Sequence, residues 1–308
     1  MRILCTGGAG YLGAILVEAL LRDNHKVTVI DNFMYRQASL NHLCVHDGLK
    51  IVVGDARDKR TMATELAHCD VLIPLAAIVG MPACENDREA AFSTNYQAVG
   101  YAIGIMSREQ RIVIPITNSG YGIGQPGIEC TEETPLKPIS YYGKTKVMAE
   151  RMVLDRGDIS LRLATVFGMA PRMRLDLLVN DFVNRALVDR AIVLFEPHFK
   201  RNYIHVRDVA RAFQHAIDNF DSMKGQPYNV GLSNANLSKF DLCGKILKQL
   251  QFVVLTAEHA EDPDKRDYIV SNAKIEATGF RPAFSIDDGI RELIRGLPML
   301  RSREHRNA

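Results

Sequence analysis

The 308-residue sequence predicts an α/β protein, with a doubly wound parallel sheet followed by a smaller C-terminal domain. Short apolar runs alternate with segments of helical periodicity through the first half of the chain, and this alternation implies parallel strands joined by right-handed crossovers. The continuous apolar run at 71–75 suits a strand that is covered on both faces. After Gly168 the pattern becomes irregular, with prolines at 171 and 197, which indicates a second unit.

The elements are predicted in a regular order. An apolar run at 2–5 ends in a cluster of glycines, and a helical pattern follows at 11–22. Further strands are predicted at 26–30, 49–53, 71–75, 111–116 and 160–164, with helices at about 61–68, 88–107 and 141–154. The stretch 202–220 is expected to return to the first domain. The predicted division is therefore 1–168 plus 201–233 for the first domain, and 169–200 plus 234–308 for the second.

Composition disfavours several classes of protein. The 38 basic and 36 acidic residues leave a net charge of +2, which argues against nucleic-acid or membrane binding. No run of ~18 apolar residues predicts a membrane span, and the N-terminus lacks the cleavage region of a signal peptide. The six cysteines are scattered without a C-x-x-C pair, so free thiols, a cytoplasmic location and no metal site are expected.

The glycine cluster at 6–13 lies between the first strand and the first helix. Glycine lets backbone N–H groups approach a pyrophosphate, because a Cβ would obstruct that approach. The helix that follows directs its positive N-terminal end at the phosphates. Two registers fit the spacing, Gly8-x-Gly10-x-x-Gly13 and Gly7-x-x-Gly10-x-x-Gly13, and spacing alone does not decide between them.

Two acidic residues after strands extend this signal. Asp31 ends the second strand 18 residues after Gly13, where a carboxylate can accept bonds from the adenosine ribose hydroxyls. A carboxylate there also repels a 2′-phosphate, so the sequence favours NAD over NADP. The first domain is therefore predicted to be a Rossmann dinucleotide-binding domain. Asp55, after the third strand, either holds the adenine amine or caps a turn.

A tyrosine and a lysine stand four residues apart on a predicted helix. Tyr142 and Lys146 therefore share a face. A free phenol, with a pKa near ~10, is a poor base at neutral pH, and a nearby ammonium favours the phenolate. The pair alone also occurs on ordinary exposed helix faces.

Together these motifs resemble an extended short-chain dehydrogenase/reductase of the nucleotide-sugar epimerase/dehydratase family. The residues that carry the resemblance span almost the whole chain: 6–13, 31–32, 54–55, 75–77, Asn95, Thr117, 121–122, Tyr142 with Lys146, and 202–209. The resemblance implies a nucleotide-sugar-binding second domain, and a homodimer in which helices near 90–106 and 141–154 pair across a two-fold axis.

The resemblance also implies a role for each site residue. Tyr142 would take the sugar hydroxyl proton while hydride passes to NAD, Lys146 would bind the nicotinamide ribose, and Thr117 would hydrogen-bond the reacting oxygen. NAD would contact Gly7, Gly10, Tyr11, Leu12, Gly13, Asp31, Asn32, Asp55, Ala56, Leu75, Ala76, Ala77, Asn95, Tyr142 and Lys146. The nucleotide sugar would contact Val79, Asn118, Ser119, Arg172, Asn180, Arg201 and Arg266.

Two of the arginines are interpreted as diphosphate ligands. The guanidinium groups of Arg201 and Arg266 can each bond two phosphate oxygens at once. The alternative for each is a surface salt bridge with neighbouring acids. Arg172 is placed at the sugar pocket together with Arg174, and Asn180 at the diphosphate.

The residues after Thr117 bear on the chemistry. Dehydratases of the family carry an Asp-Glu pair there, whereas Asn118 and Ser119 cannot act as general acid and base at neutral pH. The blocks at 117–124, 172–182 and 195–208 resemble GDP-heptose 4-oxidising enzymes, which implies a GDP-sugar and a 4-keto product. The alternatives are an epimerase that returns the hydride, a 4,6-dehydratase and a non-catalytic dinucleotide sensor. Cys84 is either an acid/base for inversion or a small buried group.

Overall fold

A computed structural model describes residues 1–36, 38–125, 127–257 and 266–300. Its strands are β1 (Arg2–Thr6), β2 (Lys26–Asp31), β3 (Leu49–Val53), β4 (Val71–Pro74), β5 (Arg111–Thr117), β6 (Glu129–Cys130), β7 (Ile159–Leu163), β8 (Thr165–Phe167), β9 (Ala191–Leu194), β10 (Lys200–His205), β11 (Pro227–Val230), β12 (Asn236–Ser238), β13 (Val253–Thr256) and β14 (Ile269–Val270). Its helices are α1 (Tyr11–Arg22), α2 (Lys59–Leu66), α3 (Met81–Asn86), α4 (Arg88–Phe92), α5 (Ala98–Ile105), α6 (Tyr141–Arg156), α7 (Leu178–Val188), α8 (Val206–Asp218), α9 (Phe220–Met223), α10 (Lys239–Leu247), α11 (Ala273–Ala277) and α12 (Ile286–Gly296).

Seven strands form one parallel sheet in the order β11-β7-β5-β4-β1-β2-β3. The predicted Rossmann-like α/β fold is confirmed. Along the chain, β2 and β3 are added on one side of β1, and β4 is then added on its other side. At such a switch point the connections leave β1 and β4 on opposite sides, which opens a crevice at their carboxyl ends. Strands β4, β5 and β7 are buried along most of their length, as their continuous apolar runs require.

Local capping explains where several helices begin and end. Helix α2 begins at Lys59, before the predicted 61, because the Asp58 side chain accepts bonds from the first amides of the helix. Helix α6 ends at Arg156, because Gly157 after it caps the helix in the left-handed conformation with φ of 92°. The predicted helix at 88–107 is α4 and α5, joined through a π-helical turn at Ser93–Gln97.

In the described ranges, three smaller sheets accompany the central one. Strand β10 pairs in parallel with β8 and antiparallel with β12, β9 pairs with β13, and β6 pairs with β14. Helix α8 packs against α1, whereas β10 stays outside the central sheet and β11 extends its edge. The division into two domains stays a prediction. In the described part of the chain, no helix combines the length and the hydrophobicity that crossing a membrane requires.

Candidate active site

A cavity of about 870 Å³ lies at the carboxyl ends of the central strands. Its wall includes the residues that follow β1, β2, β4 and β7 and the last residue of β5. The structure brings most of the predicted site residues to this one cavity: Gly7, Gly10, Tyr11, Leu12, Gly13, Asp31, Asn32, Asp55, Ala56, Leu75, Ala76, Ala77, Val79, Thr117, Ser119, Tyr142, Lys146, Arg172, Arg201 and Arg266.

The glycine turn selects one of the two registers. Gly7 has φ of 71°, and a Cβ there would lie 2.6 Å from a backbone nitrogen of the loop after β4. A Cβ on Gly13 would lie 2.5 Å from the Gly7 carbonyl oxygen, so the turn and α1 approach too closely for any other residue. Gly8 packs against Val29 and is not part of the cavity wall. The register that faces the cavity is therefore Gly7-x-x-Gly10-x-x-Gly13.

The N-terminus of α1 opens onto the same wall. Gly10 caps the helix without a side-chain hydrogen bond, and the first two helical residues, Tyr11 and Leu12, line the cavity. A helix N-terminus with backbone amides and no side chain in the way suits a phosphate. This cradle fits the pyrophosphate of a dinucleotide.

Asp31 lies at the end of β2 beside this cradle. Its carboxylate accepts bonds from the amides of Ala9, at 2.9 Å, and Phe33, at 2.8 Å. Burial raises the pKa of Asp31, while these two amides and the charge of Arg172 act to lower it. The carboxylate is thus held in place at the predicted ribose position.

Asp55 caps its own turn. Its carboxylate accepts the backbone amide of Arg57 at 2.8 Å and pairs with the Arg57 guanidinium at 2.6 Å, which lowers the pKa of Asp55. Asp55 also lines the cavity. The turn-capping interpretation is therefore seen directly, and the contact with adenine stays a prediction.

Tyr142 and Lys146 lie in the first turns of α6. Ser140 caps this helix by accepting the amide of Gly143 at 3.1 Å. Burial raises the pKa of Tyr142 to about 12, although the charges of Arg174 and Arg266 act to lower it. Burial also lowers the pKa of Lys146 to about 8. Burial therefore disfavours both the phenolate of Tyr142 and the ammonium of Lys146. The attraction between these two charges has to overcome that cost.

Thr117 ends β5 and joins a chain of hydroxyl groups. Its hydroxyl donates to Ser119 Oγ at 2.8 Å, and Arg266 donates to the same oxygen. Both Thr117 and Ser119 line the cavity. Ser119 therefore links the end of β5 to Arg266 at the cavity wall.

Cys84 does not reach the cavity wall. Cys84 belongs to α3, and its side chain is fully buried. Its Sγ donates to the Ile78 carbonyl at 3.1 Å. Burial raises the pKa of this thiol to about 11. The interpretation as a small buried group fits this placement, and a role as acid/base does not.

Three predicted site residues are not brought to the cavity wall. Asn95 is buried under the loop after β4, where its side chain bonds both the amide and the carbonyl of Ile78, at 2.8 and 3.0 Å. Asn180 is fully buried, and its amide bonds the Gly168 nitrogen and the Arg174 carbonyl. Asn118 is only 1% exposed. Asn95 and Asn180 therefore bond the backbone beside the cavity, whereas neither side-chain polar atom of Asn118 has a hydrogen-bond partner in the part of the chain that the structure describes. Contacts of these three residues with a ligand stay predictions.

The arginines of the loop after β8 lie near the Asp31 end of the cavity. The guanidinium of Arg172 is 3.9 Å from the centre of the Tyr35 ring. Arg174 pairs with Asp176 at 2.5 Å. The charges of Arg172 and Asp31 shift each other's pKa. Arg172 therefore lies near the predicted ribose position, and the prediction had placed it only at the sugar pocket.

A second cationic group lines the cavity around Arg201 and Arg266. Arg201 lies 5.8 Å from the centre of the Tyr268 ring. Lys239, at the start of α10, is 4% exposed and donates to a backbone carbonyl at 2.6 Å. Sequence reasoning missed Lys239, Tyr268 and Tyr35, because each stands in a segment with no motif of its own. Arg201, Lys239 and Arg266 all line the cavity, and cations of this kind suit a diphosphate.

Comparisons with known proteins identify the family and the fold. Residues 3–231 match the model of the NAD dependent epimerase/dehydratase family. The chain is 28% identical to the low-salt glycan biosynthesis protein Agl12 of Haloferax volcanii, over 94% of this chain and 96% of that protein. It is 26% identical to a dTDP-glucose 4,6-dehydratase of Streptomyces niveus, over 96% and 92%. The structure of Thermus thermophilus UDP-glucose 4-epimerase in complex with NAD shares the fold, with a TM-score of 0.82 and 24% identity over 97% of this chain and 99% of that one.

Proposed function

This chain belongs to the NAD dependent epimerase/dehydratase family and is an NAD-dependent nucleotide-sugar enzyme, and within that class we propose that it oxidises C4 of its substrate to a ketone. The finer proposal is a 4-dehydrogenase of a GDP-heptose-like sugar. Its support from sequence is the resemblance of the blocks at 117–124, 172–182 and 195–208 to such enzymes.

One observation carries the proposal: Thr117, Tyr142 and Lys146 line the same cavity as the glycine turn and Asp31. Tyr142 in its phenolate form would receive the proton of the C4 hydroxyl and become the neutral phenol, and the Thr117 hydroxyl would hydrogen-bond the same oxygen. Bound NAD would accept the hydride from C4. Lys146, a buried residue of the cavity wall, would bind the nicotinamide ribose.

The turn after β5 supports oxidation without loss of water. A dehydratase needs an acid that protonates the departing hydroxyl. Ser119 occupies the wall beside Thr117 and is bonded to Arg266, while Asn118 is enclosed. The carboxylate of Asp176, which does line the cavity, is paired with Arg174.

The charges around the cavity support a diphosphate-linked substrate. Arg201, Arg266 and Lys239 would face two phosphates, and planar guanidinium groups bind phosphate oxygens in pairs. A GDP-sugar remains the favoured choice because of the resemblance.

The same resemblance supports a homodimer, and light scattering should return twice the 34.4 kDa of the chain. A monomer mass would contradict the dimer.

The test uses Tyr142→Phe with Tyr141→Phe as its matched control. Tyr141 is the neighbouring residue of α6, and its ring stacks with Arg88 at 5.2 Å instead of lining the cavity. GDP-, UDP- and dTDP-sugars would be offered to each protein, with products identified by NMR. Tyr142→Phe should lose at least ~10²-fold in turnover, the usual minimum for losing a general base, and Tyr141→Phe should not.

The products decide between the remaining possibilities. A 4-keto sugar that keeps all its oxygen supports the proposal. An epimer would show that the hydride returns to the sugar, and a product lacking water would refute the argument from Asn118 and Ser119. Near-normal turnover by Tyr142→Phe would remove Tyr142 from the chemistry.

A further inference from the structure

A buried ion pair joins the catalytic helix to the central sheet. Glu150 of α6 and Arg162 of β7 are 2% and 6% exposed, and the guanidinium bonds both carboxylate oxygens, at 2.9 and 3.1 Å. Ser160 donates to the same carboxylate at 2.7 Å. Neither Glu150 nor Arg162 lines the cavity, so the proposed reaction gives them no direct role.

The third guanidinium nitrogen of Arg162 bonds the turn that follows Thr117. Arg162 Nη1 donates to the Tyr121 hydroxyl at 3.0 Å and to the Glu132 carbonyl at 3.1 Å. Tyr121 ends the turn that begins after Thr117, and its hydroxyl donates to Asn229 of β11 at 2.7 Å. One arginine therefore connects α6, β7 and the turn that carries Ser119.

Stability alone is a weak reason for such a pair. Removing two charges from water is costly, and apolar residues of similar volume are often as stable in the same place. The position on the helix suggests another reason. Glu150 stands one helical turn after Lys146, so its charge lies on the same face as the lysine. Among the described residues, Cys84 of α3 and Glu150 are the titratable groups that act on Lys146, and both oppose the effect of burial.

We propose that Glu150 and Arg162 are positioning residues of the active site. Arg162 fixes the catalytic helix against the turn that follows Thr117, and Glu150 sets a negative charge one turn below the Lys146 ammonium. The proposal rests on the proposed function only where turnover is measured, because the charge on Lys146 can be measured without any substrate.

The first experiment is an NMR titration of the Lys146 side chain in the full chain, with the resonance assigned from Lys146→Met. Glu150→Gln keeps the shape of the side chain and removes its charge. The midpoint should fall by about one pH unit, because the charge that favours the ammonium is gone. The matched control is Asp158→Asn, which breaks another buried pair, that of Arg156 and Asp158 at the far end of α6.

Asp158→Asn should leave the Lys146 midpoint unchanged, although both variants lose stability. Equal midpoints in Glu150→Gln and the unchanged protein would overturn the electrostatic part of the proposal, whatever the enzyme oxidises. Should Glu150→Gln fail to fold, the double variant Glu150→Gln/Arg162→Met removes both charges. The midpoint should still fall there, since Glu150 acts on Lys146 and no such effect is seen for Arg162. A midpoint that does not fall would refute the proposal.

The second experiment follows turnover in Arg162→Lys. Lysine keeps the charge beside Glu150 but lacks the fork that also reaches Tyr121. We expect kcat to fall at least tenfold while KM for the nucleotide sugar and the binding of NAD change less than twofold. In Glu150→Gln the alkaline limb of the kcat profile should move to lower pH. An unchanged kcat in Arg162→Lys would refute the positioning role of the arginine.

Discussion

Replacing Lys146 by methionine should stabilise the NAD-free protein at neutral pH while abolishing turnover. Burial lowers the pKa of Lys146 from 10.5 to about 8, so the folded chain holds this ammonium less favourably than the unfolded chain does. A difference of about 2.5 between the two pKa values lowers the free energy of unfolding of the unchanged protein by on the order of 3 kcal/mol at neutral pH. Methionine fills a similar volume without a charge, so the variant should recover most of that amount.

The sign of the pH dependence makes this prediction specific. Between pH 8 and 10.5 the unfolded chain binds a proton that the folded chain has released, so the stability of the unchanged protein rises with pH there. The advantage of Lys146→Met should be complete below pH 8 and fade as the pH approaches 10.5.

Guanidinium unfolding of both NAD-free proteins between pH 7 and 10 measures this advantage directly. Absorbance confirms that NAD has been removed, since bound NAD would add its own stabilisation. Equal stability at pH 7, or a difference that does not change with pH, would refute the conclusion that the buried ammonium is held at a cost.

Ligand affinities provide three further tests. Asp31→Ala should relax the preference for NAD over NADP in binding titrations, and equal affinities in the unchanged protein would contradict the role of Asp31. Arg201→Ala and Arg266→Ala should each raise KM for the nucleotide sugar, by ~1.5–3 kcal/mol per lost charge-assisted contact, with little change for NAD; an unchanged KM in both would rule the diphosphate role out. Arg172→Ala, which removes the cation over Tyr35, should weaken NAD binding more than sugar binding, and the opposite result would return Arg172 to the sugar pocket.

Much of the fold was predictable because it depends on spacing along the chain. Apolar runs separated by helical periodicity predicted the parallel sheet, and the elements lie within a few residues of the predicted bounds. The same holds for Tyr142 and Lys146, since residues four apart on a helix share a face in any fold. Asp31 likewise follows from its place at the end of β2.

The environment of each site residue was less predictable. The amides of Asn95, Asn118 and Asn180 were predicted to bind ligands, yet all three side chains are buried and none lines the cavity. Exposure depends on what packs over a residue, and spacing holds no information about that. Arg172 and Tyr35 meet for the same reason, through two loops that the sequence does not relate.

By itself, the sequence determined the order of strands and helices up to β7, the glycine cradle with Asp31, and the shared helix face of Tyr142 and Lys146. Each of these depends on residues near one another in the chain. Only the tertiary structure decided that Gly7 rather than Gly8 faces the cavity, and that Arg162 joins the catalytic helix to the turn after Thr117. These choices depend on which side chains meet when separate elements pack, and burial then moves the pKa values of the groups that are enclosed.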